Sequence, residues 1–483
     1  MKKTKLVSYI FLLIICLLSC KKELDLSNNS NSLTFSKDTI IFDTVFTTVG
    51  SPTQKLMIYN NSKSNLITNI RISGEDMNVY SMNVDGVSSN NIKNVEVPSN
   101  DSIFIFIEVR MNQNQQNNPL ITNAQIEFNT NGKIQAVKLV AYGQDAYFHT
   151  ANTYGELYDG EDTIRFWYHE LDCNEVWNND KPHVIYGYVI VDPGCQLIIN
   201  EGTKVYLHSN SGILVGNPFT MIDGGTLKVN GQLGNEVIFQ GDRLDSWYQD
   251  IPGQWDRIWL MPGSINNEFN YAIISEGTIG IHADTVVNNY PTAVINNCII
   301  ENMSSVGILG QGAKLEVNNS LVRECGQYTV ACNIGGSYDF KHCTFVNFWS
   351  RNSRSTSSIL LNNYYEDSQG NINIRDLEKA SFTNCIIYGN LSNEIEFQEN
   401  SNGIFNFSFD HSLITIDPKV NTNNINYVNI IKNDNPLFVE DDNYNLSENS
   451  PCIDVGKDIS IQKDILGNNR VNPDIGAYEF INY

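Results

Sequence analysis

The phrase Asn297-Cys298-Ile299-Ile300 recurs along the second half of the chain as a polar residue, a cysteine or serine, and a short apolar run. The other copies are Asn319-Ser320-Leu321-Val322, His342-Cys343-Thr344-Phe345-Val346, Asn384-Cys385-Ile386-Ile387 and His411-Ser412-Leu413-Ile414. The first two intervals between the cysteine or serine positions are 22 and 23 residues, and the next two are 42 and 27. A repeat of this length indicates coils that stack to build one continuous core.

Each interval contains short apolar segments separated by Gly, Asn and Asp. One coil reads Cys298 to Ile300, Val306 to Leu309 and Lys314 to Val317. Three short strands in about 22 residues predict a parallel β-helix. The long interval fits one coil with an excursion, which we expect over residues 364–376. From about residue 150 to 480 we expect about ten coils, with Cys298, Ser320, Cys343 and Cys385 stacked on successive turns.

Upstream, residues 33–142 carry strand-like runs at regular intervals, with Asn, Asp, Ser and Gly between them. This spacing predicts an all-β sandwich. Thr130-Asn131-Gly132-Lys133 lies between two alternating runs, and Asn-Gly is a strong hairpin signal. We therefore divide the chain into a sandwich over 33–146 and a β-helix over 147–483.

The N-terminus combines Lys2, Lys3 and Lys5 with an apolar run that ends in Leu17-Leu18-Ser19-Cys20. The run is short for a membrane span, and the ending resembles a bacterial lipobox. The resemblance implies that residues 1–19 are a signal peptide, that Cys20 is acylated, and that the lipid is the membrane partner. Residues 20–32 read as a flexible tether. The expected location is the outer membrane of a Gram-negative bacterium, either periplasmic or surface-exposed.

The first and last segments of the β-helix carry a family resemblance. Leu197 to Tyr206 and Gly225 to Gly231 look like the opening coils of right-handed pectin-lyase-like β-helices, and Ser450 to Glu479 is similar to a closing motif of secreted β-helix proteins. With the sandwich, which resembles an immunoglobulin-like domain, the chain resembles a family of bacterial right-handed β-helix surface lipoproteins. The resemblance implies the fold and supplies no catalytic residues.

The formal net charge of −23 disfavours nucleic acid and polyanionic sugars as partners, and is compatible with neutral glycans, basic envelope proteins or calcium. Histidine is scarce and no C-x-x-C pair occurs, so we expect no zinc site and no cofactor. Calcium could bind acidic runs, which otherwise are solvated turns. The two runs are Asp159, Glu161 and Asp162, and Glu440, Asp441 and Asp442.

The densest polar and aromatic cluster lies at residues 242–257, which we expect to form a loop between strands 237–239 and 258–260. The ligand-binding candidates are Asp242, Arg243, Trp247, Tyr248, Asp250 and Arg257. Asp245 and Asp256 are the catalytic candidates, since carboxylates can supply acid and base. The alternative is that these side chains tie the loop to the coil surface. Trp255, next to the following strand, is expected in the core.

Three functions follow from this cluster. The first is a non-catalytic glycan- or protein-binding module, the second a polysaccharide lyase or glycoside hydrolase, and the third a structural scaffold without a ligand.

Elsewhere, Arg470 is expected to form an ion pair that seals the last coil, or else a ligand clamp. Cys343 and Cys385 on adjacent coils could form a disulfide or remain buried thiols.

Overall fold

A computed structural model describes residues 32–47, 49–112, 120–159, 162–219, 223–284, 290–440 and 442–482. Cys20, the signal peptide and nearly all of the tether lie outside these residues, as do Glu161 and Asp441. The chain divides into two compact units, Met1–Asp145 and Ala146–Tyr483. Among the described residues, no helix is long and apolar enough to cross a membrane.

The first unit is a sandwich of two five-stranded sheets with an apolar core between them. One sheet contains, in spatial order, Thr34–Phe35, Gln54–Asn60, Asp101–Val109, Tyr80–Val84 and Val87–Ser88. The other contains Thr39–Phe46, Lys133–Gln144, Leu120–Thr130, Leu66–Gly74 and Asn91–Val97, and a 3-10 turn spans Met77–Val79. The Asn-Gly hairpin is confirmed, because Asn131 and Gly132 adopt φ of 52° and 83° and Thr130 pairs with Lys133.

The second unit is a right-handed parallel β-helix with three sheets, named A, B and C. Sheet A contains Tyr147–Thr150, His183–Tyr186, Lys204–Leu207, Val237–Gly241, Ala272–Ser275, Ile299–Met303, Leu321–Cys325, Thr344–Asn347, Ile386–Gly389, Leu413–Ile414 and Ile431–Lys432. Sheet B contains Thr153–Asp159, Asp162–Glu170, Tyr188–Val191, Gly212–Val215, Trp255–Leu260, Gly277–Ala283, Val306–Gln311, Val330–Asn333, Ile359–Asn362 and Ile395–Gln398. Sheet C contains Val176–Trp177, Gln196–Asn200, Thr226–Asn230, Asn267–Asn270, Ala293–Asn296, Lys314–Asn318, Gly336–Lys341, Leu377–Thr383, Phe405–Asp410 and Tyr427–Val428.

The register of sheet A confirms the predicted ladder. Ile299 pairs with Leu321, Leu321 with Thr344, and Thr344 with Ile386, so the residues that precede them stack on successive coils. Cys298, Cys343 and Cys385 are fully buried free thiols, as are Cys325, Cys332 and Cys452. A disulfide instead joins Cys173 to Cys195, a pairing that the sequence did not predict.

The residue before each ladder position turns the chain from sheet C into sheet A. Asn297, Asn319 and Asn384 have φ of 54°, 48° and 56°, a left-handed conformation that asparagine tolerates. The turn asparagines are also joined from coil to coil, since Asn319 Nδ2 donates to Asn297 Oδ1 at 3.2 Å. His342 takes the same turn position, and the side chain of Asn384 binds it at 2.9 Å.

The two departures from regular coils are the excursion and the closing segment. A small hairpin, Tyr364–Glu366 with Ile372–Ile374, lies inside the expected excursion. The closing segment packs Tyr444, Ile465 and Tyr478 on the outer face of sheet A. Arg470 is buried against Glu479 and also donates to Asn319 Oδ1 at 3.1 Å, so it forms the expected ion pair that holds this segment on the coils.

Candidate functional site

The candidate loop leaves sheet A after Gly241 and enters sheet B at Trp255, so it spans residues 242–254. The expectation of a loop as far as residue 257 was wrong, because Asp256 and Arg257 lie on the strand Trp255–Leu260. Trp255 belongs to the core, as predicted, with 1% of its surface exposed. The remaining candidates therefore divide between a loop and a sheet face.

The loop is fastened to the coil surface by a buried carboxylate and an amide. Glu276 accepts the backbone N–H of Gly241 at 3.0 Å and that of Asp250 at 2.9 Å. Gln254 Nε2 donates to the carbonyl oxygens of Tyr248 at 2.8 Å and Ile251 at 3.0 Å. Burial raises the pKa of Glu276 above its ordinary value. These bonds fix the backbone of the loop, and they come from Glu276 and Gln254 rather than from the candidate side chains.

The two aromatic ligand-binding candidates, Trp247 and Tyr248, differ in exposure. Trp247 is 81% exposed, whereas the Tyr248 ring lies under the guanidinium of Arg243, 3.6 Å from the ring centroid. Arg243 Nε also lies 3.5 Å from Asp245 Oδ2. One face of Tyr248 is thus covered within the loop, and Trp247 is the platform that faces solvent.

Asp242 meets two aromatic residues of earlier coils. Its Oδ2 lies 2.7 Å from His208 Nδ1, and the His208 ring lies 4.7 Å from that of Tyr186. The hydrogen bond to Asp242 raises the pKa of His208. Burial, together with Asp242, raises the pKa of Tyr186. Side chains on three successive coils therefore form an acid–base cluster at the carboxyl ends of strands of sheet A.

A second polar network lies on sheet B. The pairing of Trp255–Leu260 with Gly277–Ala283 is interrupted by a bulge between Arg257 and Ile258, and bulges re-aim side chains. Asp256 accepts a hydrogen bond from the Tyr188 hydroxyl at 2.9 Å, and Arg257 Nε lies 3.0 Å from both of its carboxylate oxygens. Asp256 is thereby held in one orientation.

This network continues to the next two coils through His282. Arg257 Nη1 donates to His282 Nδ1 at 3.4 Å, and His282 Nε2 donates to Gln311 Oε1 at 2.7 Å. Burial lowers the pKa of His282 to about 4, so the ring is neutral at pH 7. Trp259 stacks on His282 with centroids 4.9 Å apart and donates to Asp284 at 3.3 Å.

Sequence reasoning identified the loop residues and missed their partners from neighbouring coils. Tyr186, Tyr188, His208, Trp259 and His282 are the missed residues. Their only signal was the coil period, which places residues 20 to 40 positions apart side by side. Asp250, a predicted ligand residue, is engaged by Asn302 Nδ2 at 3.3 Å and by Arg351 at its carbonyl.

The acidic runs do not form a metal site in the part of the chain that the structure describes. There, no group of three or more His, Cys, Asp or Glu side chains is placed to hold a metal ion. Glu161 and Asp441 lie outside that part, so a calcium site that depends on them stays a prediction.

No family model matches the sequence, and no curated protein matches it. The GH87 alpha-1,3-glucanase catalytic unit from Streptomyces thermodiastaticus strain HF3-3 is similar over 74% of this chain and 79% of its own, with 8% identity and a TM-score of 0.28. A family 123 glycoside hydrolase from Clostridium perfringens matches 24% of this chain and 30% of its own, with 10% identity and a TM-score of 0.19. The periplasmic chaperone SfaE matches 24% and 58%, with 7% identity and a TM-score of 0.18. The chain spans less than two thirds of the last two proteins, and these likenesses assign no activity.

Proposed function

We propose that this protein binds a neutral glycan at the 242–254 loop while a lipid on Cys20 holds it at the cell envelope. The observation that carries the binding site is the exposure of Trp247 on a loop whose backbone is fixed from below. A tryptophan left 81% in water forgoes most of the free energy that its burial would supply. A fixed loop also loses little conformational freedom when a ligand binds.

The groups around Trp247 suit a sugar. An indole face packs against the C–H face of a pyranose, and charged or amide side chains bind the hydroxyl groups. Arg243 and Asp245 lie in the same loop, with Nε and Oδ2 3.5 Å apart in an ion pair. The net charge of −23 favours a neutral over an acidic glycan.

The membrane part of the proposal is supported by the sequence of residues 1–20. A basic start, an apolar run and Leu-x-Ser-Cys together fit lipoprotein processing. Lipid attachment at Cys20 would keep the glycan site at a membrane surface, and we propose the outer membrane as its location.

The test of the binding site is a glycan array followed by calorimetry with the wild-type chain and Trp247→Ala. Loss of a stacking contact worth about 0.5–1.5 kcal/mol should weaken binding about two- to thirteenfold and leave the thermal midpoint unchanged. Trp167→Ala is the matched control, because Trp167 is also exposed, at 56%, on a different coil. Equal glycan affinity of wild type and Trp247→Ala would contradict a binding site at this loop.

The second candidate function is carbohydrate cleavage, favoured by the half-exposed His208 next to Asp242. A histidine oriented by a carboxylate can act as general acid or base. Of the two predicted catalytic carboxylates, Asp245 forms an ion pair with Arg243. Asp256 is bound by Tyr188 and Arg257. Degradation of polysaccharides by wild type, abolished in Asp242→Asn with glycan binding retained, would establish this activity; binding without degradation would leave the binding module.

A further inference from the structure

A column of asparagines ends the strands of sheet C. Asn200 pairs in register with Asn230, and the column continues through the next three coils. Asn296 Nδ2 donates to Asn270 Oδ1 at 2.9 Å, and Asn318 Nδ2 donates to Asn296 Oδ1 at 3.0 Å. A primary amide has two N–H donors and two lone pairs, so each bond along the column uses one donor and one lone pair. The remaining polar capacity can serve a ligand.

A cleft of 390 Å³ runs along this column. Its lining residues are Asn270, Asn296, Asn297, Asn318, Asn319, Lys341, Ile459 and Ile461. We call it the amide cleft. Small-molecule sites typically measure about 300–1,000 Å³, so the amide cleft is large enough for a short ligand.

The wall opposite the asparagines is the segment 457–463, and the turn ladder holds it at both ends. Asn384 exchanges two hydrogen bonds with the backbone of Lys457, at 2.7 and 2.8 Å. Asn319 Nδ2 donates to the carbonyl of Lys463 at 2.6 Å. Ile459 and Ile461 lie between these two attachments and line the cleft. The wall is therefore fixed before any ligand arrives.

The two walls differ in chemistry. One presents amides and the other presents isoleucine side chains, with the Lys341 ammonium held 3.0 Å from Asp339 at one end. A pyranose chain matches this arrangement, because its edges carry hydroxyls and its faces carry C–H groups. The amides also repeat at the coil spacing of about 4.8 Å, whereas same-side residues of an extended peptide repeat at about 6.6 Å. The spacing thus does not match an extended peptide.

We propose that the amide cleft binds a neutral oligosaccharide that lies along the β-helix axis. Its hydroxyls bind Asn270, Asn296 and Asn318, and its C–H face packs on Ile459 and Ile461. This site is separate from the 242–254 loop, because the loop joins sheets A and B whereas the cleft lies where sheet C turns into sheet A. It stands whether or not Trp247 binds glycan.

The test is calorimetry of the full chain with cello-, xylo- and manno-oligosaccharides of two to six residues. We expect Asn296→Leu and Asn318→Leu each to weaken binding about tenfold, through loss of amide hydrogen bonds. Asn230→Leu is the control, because Asn230 stands in the same column outside the amide cleft. The double variant Ile459→Ser, Ile461→Ser changes only the opposite wall and should weaken binding similarly.

The outcomes separate the two sites. The amide cleft is supported if Trp247→Ala leaves oligosaccharide binding intact and the substitutions on both cleft walls weaken it. Binding lost only in Trp247→Ala, equal loss in Asn230→Leu, or no binding of any of these oligosaccharides by wild type would overturn it. If the leucine variants fail to fold, the double isoleucine variant decides: unchanged affinity in that variant excludes the cleft.

Discussion

Glu276 Oε1 accepts the backbone N–H of Asp250 at 2.9 Å, although the two residues are 26 positions apart. The other oxygen accepts the N–H of Gly241, so one carboxylate holds the start and the far side of the 242–254 loop. Glu276 itself has a left-handed φ of 69°, a conformation that costs free energy in a non-glycine residue. The loop is consequently part of the coil surface, and its backbone geometry depends on a residue of the next coil.

We expect Glu276→Ala to release the loop while the coils stay folded. Each lost bond to a carboxylate is worth about 1.5–3 kcal/mol. Hydrogen exchange should accelerate at residues 242–254 and stay slow in the strands. Glu268→Gln, which alters an exposed ion pair with Lys228 on sheet C, is the control. Unchanged exchange in the loop would show that Gln254 alone is sufficient to hold it.

The second prediction concerns the stability of the folded chain at acidic pH. His149 and His183 stack with Trp177 in the first coils, and the two rings share a contact of 2.9 Å between Nε2 and Nδ1. Burial lowers the pKa of His149 to about 3 and that of His183 to about 4. The unfolded chain binds these protons below about pH 6.5, whereas the folded chain does not. Stability is therefore complete above about pH 6.5 and falls as the pH drops towards 4.

Each pH unit in this window should cost up to about 1.4 kcal/mol per histidine. Thermal midpoints measured from pH 7.5 to 4.5 should fall steeply for wild type and less steeply for the double variant His149→Gln, His183→Asn. The variant His208→Gln should fall more steeply than wild type, because the pKa of His208 is raised by Asp242 and its protonated form therefore stabilises the folded chain at low pH. Parallel curves for wild type and the double variant would show that other groups, such as carboxylates, cause the acid sensitivity.

The third prediction concerns Cys20. If the lipobox reading is correct, Cys20→Ser should leave the protein unprocessed or release it from the membrane fraction, because no acyl chain can be attached. Fractionation and labelled palmitate incorporation are the measurements, with Cys16→Ser as the control inside the signal peptide. A Cys20→Ser protein that still incorporates palmitate would exclude this attachment site.

The parts that were predictable from sequence are those with a local period. The cysteine or serine ladder follows from intervals of 22 and 23 residues, and left-handed asparagines mark the turns at Asn297, Asn319 and Asn384. The site was only partly predictable, because its contacts join residues far apart in sequence. Asp242 contacts His208 across 34 positions, and Asp256 contacts Tyr188 across 68 positions. Coil lengths vary with every loop, so a pattern along the chain does not fix which side chains become lateral neighbours. The bulge at Arg257 has no sequence signal of its own.

The last prediction concerns a buried ion pair. Arg354 Nη2 and Nη1 lie 2.7 and 2.8 Å from the two oxygens of Glu394, and both side chains are at most 1% exposed. Glu394 also accepts the N–H and the hydroxyl of Ser358. The pair therefore fastens the connection before Ile359–Asn362 to the next coil of sheet B.

Removing one partner of such a pair leaves the other charge buried without compensation, which typically costs about 3–5 kcal/mol. Glu394→Gln should lower the thermal midpoint of the β-helix strongly. Glu156→Gln breaks the exposed ion pair with Arg165 and should change the thermal midpoint little, since exposed pairs are worth about 0–1 kcal/mol. If Arg354→Met combined with Glu394→Leu restored stability, the pair would serve specificity of folding rather than stability; if Glu394→Gln alone had no effect, the site would be hydrated and the pair incidental.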